Sequence, residues 1–418
     1  MNILFVVPYV PTPIRTRPYH LARALARRGH ALTLATLWEG PAERQALDEF
    51  ERAGMRVLAE PLERRRILGN LVQVLPGRRP LQARYSWHPG LARRMLAAVQ
   101  AGQFDAIHVE HLRAAEYGLF LKAQANGRTP GIVWDSVDCI SLLFEQAVRH
   151  SQSRFGRWAT RFDLPRTRRY EAWLLGQFQR VLVTSQADRL ALEGLARPAA
   201  CEASPAPIVV LPNGVDGDHF NPTSTDADAS VDVGLRKNQA VIFTGKMSYH
   251  ANITAARHLV ENIMPRVWAH KPGVPVWVVG KDPAASLLEL ARDEPRLHVQ
   301  GHAPDLAPYI RQAAVSAAPI VYGAGIQNKV LEAMACGTPV VASPQAAQAL
   351  QAVDGQDLLV AADPAAFAAA ILRLLDDPAL RQRLGQNGRR YVLRCHDWDA
   401  AAGQLEAIYG EVNHGHCG

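Results

Sequence analysis

Long apolar runs are missing from this 418-residue chain, and none approaches the roughly 20 residues that a helix needs to cross a bilayer. Cysteine is scarce: Cys139, Cys201, Cys336, Cys395 and Cys417 are odd in number and scattered, which argues against a disulfide framework and for a reducing compartment. No compact basic block is interleaved with aromatics, so no nucleic-acid partner is expected despite a net charge of +7 and a pI near 9.3. The excess is mostly arginine spread along the chain, which suits small anionic ligands or acidic lipid headgroups. The opening run from Ile3 to Val7 lacks a basic leader and is broken at Pro8, so it reads as a strand and not a signal peptide. The acidic pairs Asp226/Asp228 and Asp397/Asp399 do not look like metal-binding pairs, and the tail His414 to Cys417 reads as a frayed terminus. No metal is expected, and the expected location is cytoplasmic.

What is present is a globular composition, 48% hydrophobic and 20% charged, in 45.8 kDa, which is enough for about two domains. Short β-branched runs alternate with helix-length segments throughout. Strands are predicted at residues 2–7, 31–36, 57–58, 104–109, 131–134, 181–185 and 209–211, and after a polar connector at 221–233 the alternation restarts at 240–243, 274–279, 297–300, 315–320 and 339–342. The second half opens as the first does. This internal echo predicts an α/β protein of two Rossmann-like, doubly wound domains, 1–207 and 208–391, the first completed by an amphipathic segment within 392–418.

Ligands of such sheets lie at the carboxyl ends of strands, which selects the candidate residues. The stretch 323–343, GAGIQNKVLEAMACGTPVVAS, reads as a loop, a helix over 327–335, a stop at Cys336-Gly337 and a buried strand. Gly323 and Gly325 leave a path free of side chains, and the helix that follows aims free N–H groups at that loop, where a phosphate fits. Lys329 and Glu332 lie three apart on one face. Gly245-Lys246 ends the strand that opens the second half. In the first half, Arg15 and Arg17 occupy the loop after the first strand, Glu110-His111 end the fourth, and Asp135 and Asp138 follow the fifth, placed to cap the next helix or to touch an acceptor. Two basic segments, 63–85 and 149–169, carry interleaved apolar residues, the second with Phe155, Trp158 and Phe162. Each reads as a plain amphipathic helix or as a contact with an anionic membrane surface.

The string G-I-Q-N-K-V-L-E-A-M-A-x-G-x-P-V-V-A-S resembles the donor-site signature of GT-B glycosyltransferases of the family-4 type, especially those of bacterial exopolysaccharide clusters. The turn Pro212-Asn213-Gly214-Val215-Asp216 is similar to that family's hinge entry. The resemblance implies two Rossmann-like halves facing across a cleft, with a C-terminal helix returning to the first. It also implies retaining, metal-independent sugar transfer from a UDP-, GDP- or dTDP-sugar, a substrate and not a cofactor, to a saccharide or lipid-linked acceptor, with peripheral contact at the inner membrane face. Residue by residue, it implies that Glu332 holds the ribose hydroxyls and that Gly323, Gly325, Ile326, Gln327 and Asn328 lie against sugar and diphosphate. Gly245, Lys246 and Lys329 attend the diphosphate, and Gly301 and His302 meet the base. On the acceptor side it points to Glu110 and His111 near the reacting carbons, with Arg15, Arg17, Asp135 and Asp138 around them. Three departures stand out: Ala324 replaces a second glutamate, PIRTRPYH replaces a glycine-containing N-terminal loop, and Gly245-Lys246 replaces Gly-Arg with a following lysine. They leave two alternatives, a GT-B sugar-nucleotide 2-epimerase and a nucleotide-sugar-binding protein that has lost transfer.

Overall fold

The computed structural model of the chain describes residues 1–13, 15–125, 129–150, 154–196, 206–223, 239–301, 303, 305–322 and 325–414. It divides into two compact units, Met1–Pro212 with Trp398–Gly418, and Asn213–Asp397. The crossing points fall a few residues after the expected 207/208 and 391/392.

Unit 1 holds a seven-stranded parallel sheet built from β1 (Asn2–Val6), β2 (Ala31–Trp38), β3 (Arg56–Pro61), β4 (Ala106–Glu110), β5 (Gly131–Val137), β6 (Arg180–Val183) and β7 (Ile208–Val210), in the order β3-β2-β1-β4-β5-β6-β7. Because successive side chains on a strand face opposite ways, Leu4 and Val6 enter one core while Ile3 and Phe5 enter the other. The second core also contains Trp398, Leu405, Tyr409 and Val412, so the C-terminal helix Trp398–His414 covers that face of the sheet. A buried hydrogen bond between Tyr409 Oη and His108 Nδ1, 2.9 Å, ties the helix to β4.

Unit 2 holds a six-stranded parallel sheet of β8 (Val241–Thr244), β9 (Val276–Val279), β10 (Leu297–Gln300), β11 (Val315–Ala318), β12 (Val340–Ala342) and β13 (Leu359–Val360), in the order β10-β9-β8-β11-β12-β13. Both sheets therefore reverse direction of growth beside their first strand, between β1 and β4 and between β8 and β11. Those switch points open a crevice above the strand ends. The helix after β8 is interrupted: His250–His258 passes through a π-turn at Leu259–Ile263 before Met264–Trp268. Pro265 explains the break, since its ring has no N–H to donate and crowds the carbonyl one turn back.

An 18-residue helix, Pro378–Cys395, was not anticipated. It starts at Asp377, whose side chain caps Leu380 N at 2.8 Å, and it buries Gly385 and Gly388 against the end of helix Asn328–Ala335. A Cβ at Gly385 would stand 2.0 Å from the Gly337 carbonyl oxygen, so only glycine lets the two chains cross there. This crossing fixes the helix that carries Lys329 and Glu332.

Candidate active site

In unit 2 the strand ends nearest the switch point are lined with backbone instead of side chain. Gly245 and Gly280 follow β8 and β9 with φ of +150° and +156°, and a Cβ on Gly280 would come 1.8 Å from the Gly245 carbonyl oxygen. Gly301 follows β10, and a Cβ there would meet the Pro283 ring at 2.8 Å. Beside this floor, Asn252 joins two elements with one amide: its Nδ2 donates to the Lys246 carbonyl at 3.0 Å, and its Oδ1 accepts from Lys329 Nζ at 3.1 Å. Lys329 also reaches Gln327 Oε1 at 3.3 Å and lies 5.5 Å from the centroid of the Phe243 ring. Its ammonium is thus drawn over the end of β8. Burial pulls its pKa down to about 8, with Glu332 opposing.

Glu332 sits one turn further along the helix, half-buried, and its carboxylate has no hydrogen-bond or ion-pair partner among the described residues. Burial pushes its pKa up to about 7, while the charges of Lys329 and of His219, itself paired with Asp305 at 2.9 Å, pull it back. The entrance to this helix is held from two sides. Asn213 Nδ2 donates to Asn328 Oδ1 at 3.4 Å, and Tyr322 Oη meets His250 Nδ1 at 2.8 Å where the chain leaves β11. The side chain of Lys246 is exposed at the same strand end, whereas Gly325, Ile326 and Gln327 form the approach to the helix. Gly323 and His302 lie outside the described residues.

In unit 1 the tips of β1, β4 and β5 also converge at the switch point. Tyr9 Oη donates to Glu110 Oε1 at 3.1 Å, and the Arg15 guanidinium lies 4.8 Å above the Tyr9 ring while pairing with Glu43 at 3.0 Å. Glu110 is fully enclosed, with Oε2 unpartnered among the described residues; burial and the neighbouring Asp135 push its pKa up to about 8. It is enclosed within unit 1, where burial favours its protonated form. His111 is the more accessible group. It has φ +69°, a conformation costly for a residue with a Cβ, locked by its N–H to the Asp135 carbonyl at 2.7 Å. Its Nδ1 accepts from Arg113 N at 3.2 Å, and burial beside Arg113 lowers its pKa to about 3, which leaves a neutral imidazole with Nε2–H as donor.

Arg17 and Asp135 lie beneath these tips as an ion pair, 2.8 Å from Nε to Oδ2, with Arg17 Nη1 on the Leu211 carbonyl at 2.9 Å. Both are buried, and His108 Nε2 stands 3.6 Å from the same carboxylate oxygen. They anchor the loop and are not presented at its surface. Asp135 Oδ1 accepts from Val137 N at 3.1 Å, and Val137 itself has φ +68°. The capping role considered for Asp135 or Asp138 belongs instead to Glu171, which accepts from Ile140 N at 2.7 Å and Ser141 N at 3.1 Å; Asp138 takes the Thr184 hydroxyl at 3.3 Å. Sequence reasoning did not anticipate Asn252, Gly280, Tyr9 or His108. A glycine directly after β9, matching those after β8 and β10, was the one available signal.

Two parallel sheets that each reverse at their first strand, the second ending in a glycine floor beside a helix with Lys and Glu on one face, define the GT-B class. The pattern described as Glycosyltransferase Family 4 matches residues 15–219, and that described as Glycosyl transferases group 1 matches 238–377. The phosphatidyl-myo-inositol mannosyltransferase of Mycobacterium tuberculosis is 26% identical over 424 residues, covering 99% of this chain and 97% of its own. Among solved structures, sucrose-phosphate synthase from Thermosynechococcus elongatus superposes with a TM-score of 0.70 at 20% identity over 98% of both chains. Anabaena Alr3699/HepE in complex with UDP-glucose gives 0.70 at 16% identity, over 98% of this chain and 100% of that one. The chain belongs to the group 1 glycosyltransferases of GT-B fold, with a family 4 N-terminal half.

Proposed function

We propose that this glycosyltransferase moves a sugar from a nucleoside-diphosphate sugar to a hydroxyl acceptor, with retention of configuration and without a catalytic metal. The observation that carries the donor reading is the arrangement in unit 2: Lys329 held over a glycine floor by Asn252, with the unpartnered Glu332 one turn further on. A diphosphate supplies the anion that a desolvated ammonium lacks, and a ribose supplies two hydroxyl donors to a carboxylate that has none. As negative charge grows on the departing nucleotide, a preplaced cation lowers the barrier. Lys246, Gly325, Ile326, Gln327 and Asn328 complete the donor site in this reading, with Gly301 at the base.

In unit 1, His111 offers a neutral N–H to a sugar hydroxyl and is too weak a base to deprotonate an acceptor. That supports a retaining course over one needing an ionised base. The names of the relatives point to mannose as the first donor sugar to try and to an inositol phospholipid as the first acceptor. The acceptor is then lipid-linked, and contact with the membrane surface follows.

Purified protein incubated with UDP-, GDP- and dTDP-sugars, with and without acceptor, tests this by nucleotide release. Acceptor-dependent release with one matched donor supports transfer. Release together with a free 2-epimer makes the protein an epimerase, and binding without release makes it a binding protein.

A further inference from the structure

Six large apolar side chains of unit 1 that stand exposed fall on two helices: Leu68, Val72 and Leu75 at the outer face and end of Arg64–Val74, and Trp158, Phe162 and Trp173 on Arg154–Leu174. Leu68, Val72 and Trp158 keep 65%, 57% and 66% of their surface open to solvent, too much for side chains that complete a core. The spacing is regular. Leu68, Val72 and Leu75 recur every three or four residues, so they form one stripe, and their opposite number on the inner face are the buried Asn70 and Val74. The stripes meet at Arg166, whose Nη2 donates to the Leu75 carbonyl at 3.0 Å while its guanidinium lies 4.4 Å over the Phe162 ring. Phe162 in turn stacks on Trp158 with centroids 6.1 Å apart and planes 15° from parallel.

Around these apolar groups the charge is mostly positive. Arg64, Arg65, Arg78, Arg161 and Arg169 are exposed and take part in no ion pair among the described residues. Glu63, beside Arg64, is the one nearby acid that is exposed with no ion pair among the described residues; Glu116 accepts from Arg79 and Tyr170, Asp163 is buried and accepts from Leu81 N, and Glu145 pairs with Arg168 at 2.6 Å.

We propose that this two-helix face is where the protein docks on an anionic lipid bilayer, Leu68, Val72, Trp158 and Phe162 entering the headgroup and acyl boundary while the arginines meet lipid phosphates. Aromatic rings with an apolar body and a polar edge suit that boundary, and arginines can keep their charge in the headgroups while their stems lie along apolar surface. A second copy of the chain would instead bring two clusters of unpaired arginines together, a repulsive pairing. The inference gives a place to the lipid-linked acceptor of the preceding reading and rests on that reading for its purpose; its evidence is the surface itself.

The test is co-sedimentation of the full chain with vesicles of phosphatidylcholine alone and of phosphatidylcholine mixed with phosphatidylglycerol, at low and physiological salt. Binding is expected to the anionic vesicles, weaker as salt rises. Arg64→Gln/Arg65→Gln should lower partitioning by about fivefold per arginine removed. Leu68→Ser/Val72→Ser and Trp158→Ser should each lower it by about tenfold or more through lost apolar insertion. Thermal unfolding of these variants should match the parent, because the side chains are exposed, and Leu288→Ser, at an exposed leucine of unit 2, should leave partitioning unchanged. Equal binding to neutral vesicles, no binding to anionic ones, or unchanged partitioning of the variants overturns the proposal. Self-association that these variants abolish, seen in sedimentation velocity without vesicle binding, overturns it in favour of a second copy. Nucleotide release measured in the same preparations separates this from the donor reading, which survives if release persists while vesicle binding fails.

Discussion

Replacing Lys329 by methionine should damage ligand binding and leave the stability of the fold nearly unchanged. The fall of its pKa from 10.5 to about 8 means that the folded state disfavours the ammonium, by about 3 kcal/mol before solvent screening. Lys329 is only half-buried, so solvent screening reduces that figure, to about half or less. The change also removes hydrogen bonds to Asn252 and Gln327, worth about 1 kcal/mol each. A base whose folded pKa lies below its unfolded value opposes folding most fully below the folded pKa, where both states are charged, and ceases to do so above the unfolded one. The two terms nearly cancel, so the net expectation at pH 7 for Lys329→Met is a stability within about 1 kcal/mol of the parent, a melting temperature within about 4 °C of it. Binding of the matched nucleoside diphosphate should weaken by about 10- to 100-fold, the value of a charge-assisted contact to phosphate. Differential scanning fluorimetry without ligand and isothermal titration with it read the two effects separately. A variant that melts well below the parent yet binds nucleotide normally would falsify the assignment, since Lys329 would then serve the fold and not a ligand.

Three further predictions follow from the same geometry. Nucleotide affinity should peak between about pH 7 and 8: below about 7 Glu332 takes up a proton and loses its acceptor capacity, and above about 8 Lys329 loses its charge; a flat titration profile from pH 6 to 9 would contradict both roles. Gly280→Ala should cost about 2–4 kcal/mol and distort the donor floor, because its Cβ would lie 1.8 Å from the Gly245 oxygen; urea denaturation that matches the parent would show that this crossing can relax. Asp135→Asn should destabilise unit 1 by about 3–5 kcal/mol, since it leaves the buried Arg17 guanidinium without its counter-charge, whereas Arg17→Met together with Asp135→Leu should recover much of the loss.

The alternation of apolar runs with helix-length segments was enough to read both sheets apart from the two-residue edge strand β13, because parallel strands buried on two faces leave near-continuous β-branched stretches such as Val276–Val279. Helix Pro378–Cys395 escaped because its outward residues are mostly arginines and glutamines and its buried stripe, Leu380, Leu384, Tyr391 and Val392, is interrupted by Gly385 and Gly388. The donor helix was legible for a local reason. Gly325, Lys329 and Glu332 lie within a few residues of one another, and a helix converts that spacing directly into geometry.

Contacts between residues distant in sequence were not legible. Asn252 reaches Lys329 across 77 positions, and Arg17 meets Asp135 across 118. For that reason Arg17 and Glu110 look, in the sequence, like groups at a strand tip, while the fold buries one in an ion pair and the other in a closed carboxyl–tyrosine contact. The unusual backbone at His111 and Val137 is equally hidden, since neither residue type favours positive φ and only the surrounding hydrogen bonds hold it there.

The central claim is that Glu332 holds the ribose of a nucleoside diphosphate. Titrating the parent and Glu332→Gln with the matched nucleoside diphosphate and with its 2′,3′-dideoxy analogue tests it most directly. The parent should lose about tenfold or more in affinity when the two hydroxyls are removed, and Glu332→Gln should bind both ligands alike. An equal loss in the two proteins would place the ribose elsewhere and contradict the account.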